Sequence, residues 1–146
     1  MNTAIYHIDI YKEDNKNNLR FALGRNGTNP LFVIGLNPST ADDKTSDRTI
    51  NKVVGITEGA KLDGFVMLNL YPQRATNPND LDKILNEDYH KQNLKAIKEV
   101  TSNRKNITVL VAYGNLIQSR PYLKQCLKDI YSVLEEVNPK WMKTGE

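Results

Sequence analysis

Three apolar stretches of this chain each end in small polar residues or glycine. Residues 31–36 run into Asn37 and its neighbours, residues 65–68 end at Asn69, and residues 107–112 end near Gly114. Carboxamides and hydroxyls donate and accept hydrogen bonds but take up no proton near neutral pH. They suit the recognition of a polar planar ligand, or the orientation of a water, better than nucleophilic attack. These turns contain no thiol and no Gly-x-x-x-x-Gly-Lys phosphate loop.

The three stretches have the composition of buried strands. Val, Ile, Leu and Phe dominate them, as in parallel strands that are covered on both faces. The carboxyl ends of such strands share one edge of the sheet, where ligands bind in open α/β folds. We therefore expect Asn37, Asn69 and Gly114 to surround one cleft. The alternative is an ordinary strand exit followed by a helix cap.

The rest of the chain predicts an α/β fold in a single domain, residues 1–146. Alternating patterns at 5–11 and 19–23 predict an antiparallel hairpin at a sheet edge. The complete prediction is a three-layer α/β/α sandwich with a mostly parallel central sheet and this N-terminal hairpin. The remaining predicted elements are a helix from Asp47 to about 59–64, a short helix at 80–85, helices at 88–104 and 116–128, the latter interrupted at Pro121, and a strand at 130–134.

Composition excludes several classes of protein. The 146 residues are 39 % hydrophobic and 25 % charged with a net charge of +3, which is typical of a globular domain and too weakly basic to indicate nucleic acid by itself. No apolar stretch approaches the about 20 residues of a membrane span, so we expect no membrane association. The N-terminus has no basic leader followed by an apolar run, and we expect a cytoplasmic protein.

The metal-binding and redox residues are few. Cys126 is the only cysteine, which excludes a disulfide within the chain, and its apolar neighbours predict a core position. His7 and His90 are widely separated in the sequence, and neither has a second histidine at a metal-binding helical spacing. We therefore expect neither a metal site nor a cofactor.

Two groups of motifs resemble the bacterial and phage family DUF1643, from about Leu19 to the C-terminus. They are the runs at 37–42 (Asn-Pro-Ser-Thr-Ala-Asp) and 47–50 (Asp-Arg-Thr-Ile), and the runs at 69–71 (Asn-Leu-Tyr) and 74–78 (Arg-Ala-Thr-Asn-Pro). The resemblance constrains the fold more than the reaction, because the family implies no settled activity.

A more distant resemblance is to the uracil-DNA glycosylase superfamily, an α/β/α sandwich whose strand ends surround a pocket for a flipped-out base. Residues 35–38 match its Gly-x-Asn-Pro motif, in which the residue at Asn37 positions the hydrolytic water. Residues 67–69 resemble its strand ending in Asn, where the amide of Asn69 would read a base edge, and residues 109–114 resemble a later strand. The chain stops at residues 144–146, where a Gly-x-Pro-x-His-Pro segment would begin in DUF1643, so either a catalytic histidine is absent or this version is shortened.

The resemblance and the residue types together predict the site. Asn37 and Asp47 are the candidate catalytic residues, although Asp47 could instead cap the following helix. Arg74 offers a planar fork for a phosphate or, alternatively, a salt bridge to the loop at 42–47. A tyrosine at 71 or 113 could stack on a base or pack in the core. The predicted ligand-binding residues are Pro38, Ser39, Thr40, Asn69, Tyr71, Arg74, Thr76 and Gly114.

These observations favour a nucleotide- or nucleic-acid-binding protein with a glycosylase-like base pocket. Whether it is an enzyme that hydrolyses an N-glycosidic bond stays open, because an amide can orient a water but cannot act as a general base. Arg120, Lys124 and Lys128 could form a basic stripe for a nucleic-acid backbone, or belong to an ordinary surface. The alternative function is a non-catalytic phage or mobile-element protein that binds a protein partner or sequesters a small ligand.

Overall fold

A six-stranded mixed sheet organises the chain in a computed structural model that describes residues 7–14, 16 and 18–143. The spatial order of its strands is β1-β2-β4-β3-β5-β6. The four strands β4, β3, β5 and β6 are mutually parallel, whereas β1 and β2 are antiparallel to their neighbours. The strands are β1 Ile10–Glu13, β2 Arg20–Arg25, β3 Leu31–Gly35, β4 Phe65–Asn69, β5 Thr108–Val111 and β6 Lys140–Lys143.

Three α-helices cover the two faces of this sheet. They are α1 Arg48–Gly59, α2 Glu87–Thr101 and α3 Leu123–Leu134, and short 3-10 turns lie at Pro78–Asp80, Gly114–Ser119 and Glu135–Val137. Because side chains alternate along a strand, the odd positions of β3 and β4 pack with Ile50 and Val53 of α1. The even positions pack with α2 and α3 in the larger core cluster. The predicted α/β architecture with an edge hairpin is confirmed.

The edge hairpin lies later in the sequence than predicted. Its first strand, β1, begins at Ile10 and continues to Glu13, where the alternating pattern predicted a strand at 5–11. Residues 5 and 6 of that prediction lie outside the described residues. The antiparallel pairing of β1 with β2 at the sheet edge agrees with the prediction.

The predicted strand at 130–134 is wrong, because these residues form the last part of α3. Leu123, Cys126, Ile130 and Leu134 recur at spacings of three and four, and all four are fully buried on one face of the helix. The last strand is instead β6, which pairs in parallel with β5. An apolar run of five residues fits a strand and a helix equally well when it is read without its neighbours.

The predicted short helix at 80–85 is also wrong, since only the 3-10 turn at Pro78–Asp80 forms. The backbone carbonyls of this segment accept hydrogen bonds from a side chain that is distant in the sequence. The guanidinium of Arg120 donates to the carbonyls of Asn79, Leu81 and Asp82 over 2.9–3.0 Å. Leu81 is extended as a result, and Arg120 does not belong to a free basic stripe with Lys124 and Lys128.

A thiol and two phenols in the core or packed against it have raised pKa values. Cys126 is fully buried, as predicted, and burial raises the pKa of its thiol from 9.0 to about 12. Burial, with the Asp82 charge beside it, raises the pKa of Tyr122 from 10.0 to about 12. The pKa of Tyr71 is raised in the same direction, mainly by burial.

We therefore expect the fold to lose stability above pH 9. In the unfolded chain the thiol and phenols release their protons near their ordinary pKa values, while the folded chain still holds them, so the free energy of unfolding falls between about pH 9 and 12. Urea denaturation at steps from pH 7 to 11 measures this. Tyr122→Phe removes one of the groups and should flatten the decline above pH 10. A midpoint that stays constant from pH 8 to 11 would contradict the prediction.

Candidate functional site

A cleft of about 380 Å³ opens at the carboxyl edge of β3, β4 and β5. We call it the strand-end cleft. It is lined by residues 35–37 and Ser39 after β3, by residues 47–49 in the first turn of α1, by Met67 of β4, by residues 75, 76 and 78 after β4, and by residues 112, 113 and 116 after β5. Segments at the ends of β3, β4 and β5 thus line one hollow. Of the three residues expected around it, Asn37 is in the lining, whereas Asn69 and Gly114 are not.

Three larger hollows lie elsewhere, around β1, α2 and the end of α3, with volumes of about 590, 500 and 450 Å³. The largest is bordered by the exposed ion pair of Lys12 and Glu99, whose N and O atoms are 3.3 Å apart. Surface pairs of this kind are usual on a solvated face and do not indicate a ligand. The strand-end cleft is smaller, but it is the hollow beside which Asn69 is buried.

Asn69 is the residue that distinguishes this cleft. Its side chain is 0 % exposed, and neither Nδ2 nor Oδ1 has a hydrogen-bond partner within the described part of the chain. Its Oδ1 lies only 3.2 Å from the point that a Cβ atom on Gly35 would occupy. Since Gly35 lines the cleft, the missing side chain leaves the amide directly beneath its floor. An unpaired buried amide costs about 1–3 kcal/mol, so a ligand or an ordered water has to supply its partners.

Asn93 holds the end of β4 in place. The side chain of Asn93 is fully buried on α2, and its Nδ2 donates to the carbonyl of Asn69 over 3.0 Å. This contact ties the backbone of Asn69 to the helix that covers the opposite face of the sheet. Asn93 was not among the predicted site residues, although its position four residues from both Tyr89 and Ile97 places it on the inner face of α2.

Asn37 joins two loops at the cleft wall. Its Nδ2 donates to the carbonyls of Pro38, Gln73 and Ala75, over 3.0, 3.3 and 2.7 Å. All three of these bonds use the nitrogen, so Oδ1 is the atom of Asn37 that can accept a hydrogen bond from a ligand or a water. The side chain is half-buried and lines the cleft.

Asp47 is the N-cap of α1. Its Oδ1 accepts a hydrogen bond from the amide of Ile50 over 2.9 Å, and its Oδ2 accepts one from the amide of Ala41 over 3.1 Å. Asp47 therefore caps the helix, which was the alternative to a catalytic role. Asp47 also lines the cleft, so its carboxylate stands beside any ligand that enters.

Arg74 shapes the loop after β3 and does not line the cleft. Its Nη1 donates to the carbonyls of Ser39 and Ala41 over 2.7 and 3.1 Å, and its Nη2 donates to the hydroxyl of Tyr11 over 2.7 Å. The buried Arg20 adds a third bond to this loop, from Nη1 to the carbonyl of Ala41 over 3.1 Å. The sequence did not single out Arg20, whose signal is a charged residue in a strand that is otherwise buried.

The charge of Arg74 also acts on Asp42. The pKa of the Asp42 carboxyl lies below its ordinary value, chiefly because the amides of Lys44 and Thr45 donate to it, with a smaller effect of the Arg74 charge. Nη1 and Nη2 of Arg74 are thus engaged by the protein's own carbonyls and by a phenol, while Nε has no partner among the described residues. Arg74 supports the cleft wall, and its contact with a ligand stays a prediction.

Besides Arg74, five residues of the predicted ligand-binding set lie outside the lining, one of them being the buried Asn69. Tyr71 is fully buried, its ring packs against Tyr122 at 5.1 Å, and its hydroxyl donates to Oδ2 of Asp82 over 2.8 Å. Pro38 is buried, Thr40 is exposed to solvent outside the cleft, and Gly114 begins a 3-10 turn with φ of +56°. Of the two tyrosines, Tyr71 packs in the core and Tyr113 lines the cleft.

The two members of the set that line the cleft are Ser39 and Thr76. The hydroxyls of Ser39 and Thr76 are 3.4 Å apart, across the two loops that follow β3 and β4. Both residues line the cleft, together with Asn37, and Asn69 lies beneath its floor. The site is therefore a hollow with polar groups set in a largely apolar lining, with an amide under its floor, a tyrosine in its wall and the first turn of a helix at its rim.

The described residues contain no group of three or more His, Cys, Asp and Glu side chains placed to hold a metal ion. None of the helices in that part of the chain combines the length and apolarity that a membrane crossing requires. No curated protein and no solved structure matches the chain significantly. The family described as "Protein of unknown function (DUF1643)" matches residues 20–146, which is most of the sequence, and the chain therefore belongs to the DUF1643 family.

Proposed function

We propose that the strand-end cleft binds the base of a nucleotide or of a nucleic acid. The observation that carries this proposal is the buried, unpaired carboxamide of Asn69 beneath a floor made by Gly35. A carboxamide offers an acceptor and two donors in one plane, which is the arrangement that pairs with the polar edge of a base.

The walls of the cleft support the same ligand class. Tyr113 is half-buried at the wall, where an aromatic face can stack on a planar ring. Asn37 Oδ1 and the hydroxyls of Ser39 and Thr76 can contact polar groups at the edge of such a ring or on a sugar. The likeness of residues 35–38 and 67–69 to motifs of the uracil-DNA glycosylase superfamily supports the proposal, because both motifs lie at strand ends that border this cleft.

We further propose that the cleft can place a water for hydrolysis of an N-glycosidic bond. Asn37 Oδ1 would orient the water, and Asp47, whose two oxygens each accept one backbone hydrogen bond, keeps lone pairs to accept a proton from it. The water oxygen would bond to the sugar carbon as the bond to the base nitrogen breaks, and the base would leave as an anion that takes up a proton. Chromatography of a nucleoside or oligonucleotide after incubation detects the released base.

Asn69→Leu separates binding from folding. Removing the orphaned amide should raise the free energy of unfolding of the ligand-free protein by about 1 kcal/mol, because a buried unpaired polar group is replaced by an apolar one of similar size. The same change should abolish the rise in melting temperature that nucleosides, nucleotides or short DNA cause in the wild type. Differential scanning calorimetry with each ligand measures both effects.

The control is Asn115→Leu, which changes an exposed carboxamide outside the cleft lining. It should leave the ligand response intact. If no nucleoside, nucleotide or oligonucleotide shifts the melting temperature of the wild type, the binding proposal is wrong. A stoichiometric protein partner whose binding tolerates Asn69→Leu would then favour the non-catalytic alternative.

A further inference from the structure

We infer that the ligand carries a phosphate, and that the first turn of α1 holds it while the base lies toward Asn69. This inference rests on the proposed function and narrows it from base-containing ligands in general to nucleotides. The feature that suggests it is the arrangement of α1 at the rim of the cleft, where Arg48 and Thr49 are both lining residues.

Two backbone amides in the first turn of α1 have no hydrogen-bond acceptor among the described residues. Asp47 accepts from the amide of Ile50 through its side chain and from the amide of Asn51 through its carbonyl. The amides of Arg48 and Thr49 donate to no acceptor in the part of the chain that the structure describes. Free amides at the start of a helix of 12 residues, with the helix dipole behind them, attract anions.

The buried amide of Asn69 is the independent sign that a ligand enters here. Its Oδ1 lies next to Gly35, and Gly35 and the first turn of α1 line the same cleft. One molecule can therefore meet both features, with a polar planar group toward Asn69 and an anionic group at the helix start. A bare base or a nucleoside would meet only the first of them.

The charged side chains of the cleft lining are one anion and one cation, Asp47 and Arg48, so their formal charges cancel and the attraction for a phosphate comes from the free amides and the Arg48 guanidinium. Arg48 is exposed, lines the cleft and has no carboxylate within ion-pairing distance among the described residues. Asp47 carries the opposing negative charge, but both of its oxygens accept hydrogen bonds from backbone amides. The hydroxyl of Thr49 adds a neutral donor. Arg48 is thus the cation of the cleft lining that is placed to bind a phosphate oxygen.

The test compares a nucleoside with its 5′-monophosphate, and with an oligonucleotide of the same base, by isothermal titration calorimetry. The wild type should bind the monophosphate at least about tenfold more tightly than the nucleoside, since a charge-assisted contact is gained. Tighter binding of the oligonucleotide than of the monophosphate would identify a nucleic-acid strand as the source of the phosphate. Equal affinity for the nucleoside and both phosphate-bearing ligands would overturn the inference and leave the proposed function standing.

Two substitutions of Arg48 separate its side chain from its amide. Arg48→Gln removes the charge and should weaken monophosphate binding about tenfold, with nucleoside binding unchanged. Arg48→Pro also removes the backbone N–H group and should weaken monophosphate binding further. Proline suits this first helical position, and Asp47 before it is already extended, with φ of −129° and ψ of −179°.

Lys52→Gln is the matched control, because Lys52 lies one turn later on α1, is exposed and does not line the cleft. It should leave both affinities unchanged. If Lys52→Gln and Arg48→Gln weaken the monophosphate equally, the effect is general charge attraction and the inference is wrong. If the wild type binds neither the nucleoside nor the monophosphate nor the oligonucleotide, both the inference and the proposed function are wrong.

Discussion

Replacing Gly24 with alanine should lower the free energy of unfolding by about 3 kcal/mol, at the upper end of the cost of overpacking. Gly24 pairs with Val66 where the antiparallel strand β2 joins the parallel part of the sheet. A Cβ atom on Gly24 would lie 2.1 Å from the carbonyl oxygen of Phe65 and 2.9 Å from Cα of Val66. Both are backbone atoms of β4, which is held on its other side by β3, so they cannot move aside cheaply.

Gly55→Ala is the matched control for this change. Gly55 lies in the middle of α1, is exposed, and has no atom within 4 Å of the position of an added Cβ. Alanine there should stabilise the fold by about 0.5–1 kcal/mol, since it removes conformational freedom from the unfolded chain. Urea denaturation measures both variants. A Gly24→Ala protein as stable as the wild type would mean that β2 and β4 are not paired in this register.

Much of the fold could be predicted because its signals are local. Residues 31–35 and 65–69 are uninterrupted apolar runs bounded by turn residues, which fit a strand buried on both faces. Asp47 could be recognised as a helix cap because an acidic residue stands immediately before an amphipathic pattern. In each case the residues that decide the structure lie within a few positions of one another.

The errors arose where a distant residue decides the local structure. The segment at 80–85 contains helix-forming residues, but Arg120 takes the carbonyls that a helix would need for its own amides. The strand predicted at 130–134 depends on whether the apolar pattern is read from Ile130 or from Leu123. No pattern within either segment contains this information.

The candidate site also divides into features that local sequence predicts and features that only the three-dimensional contacts reveal. Residue type and position at a strand end predicted that Asn37 and Asn69 belong near one cleft, but not which atoms remain available. In the structure, Nδ2 of Asn37 donates to three carbonyls. Neither Nδ2 nor Oδ1 of Asn69 has a hydrogen-bond partner in the described part of the chain. For Arg74 the residue type suggested a ligand contact, but a guanidinium that can bind a phosphate can equally bind backbone carbonyls, as it does here.

Gly35→Ala should weaken ligand binding at least about tenfold and change the free energy of unfolding by only about 1 kcal/mol. The added methyl would lie 2.6 Å from Cε of Met67 and 3.2 Å from Oδ1 of Asn69. The end of a methionine side chain can move, so the fold adjusts. The amide of Asn69 cannot be reached past the methyl group, so the ligand loses the hydrogen bonds that we propose it makes there. Calorimetric titration with a nucleotide and urea denaturation measure the two effects.

A second substitution identifies which of the two contacts causes the loss. Met67→Val shortens the side chain that the new methyl group meets, and the double variant Gly35→Ala with Met67→Val therefore has room for it. If the methyl group acts by covering Asn69, the double variant stays defective in binding although its stability recovers. Recovery of binding would show that displaced Met67 had blocked the cleft, and that contact with Asn69 is not what the ligand requires. Because Met67 itself lines the cleft, Met67→Val alone measures what the shorter side chain does to binding, and the double variant is compared with it.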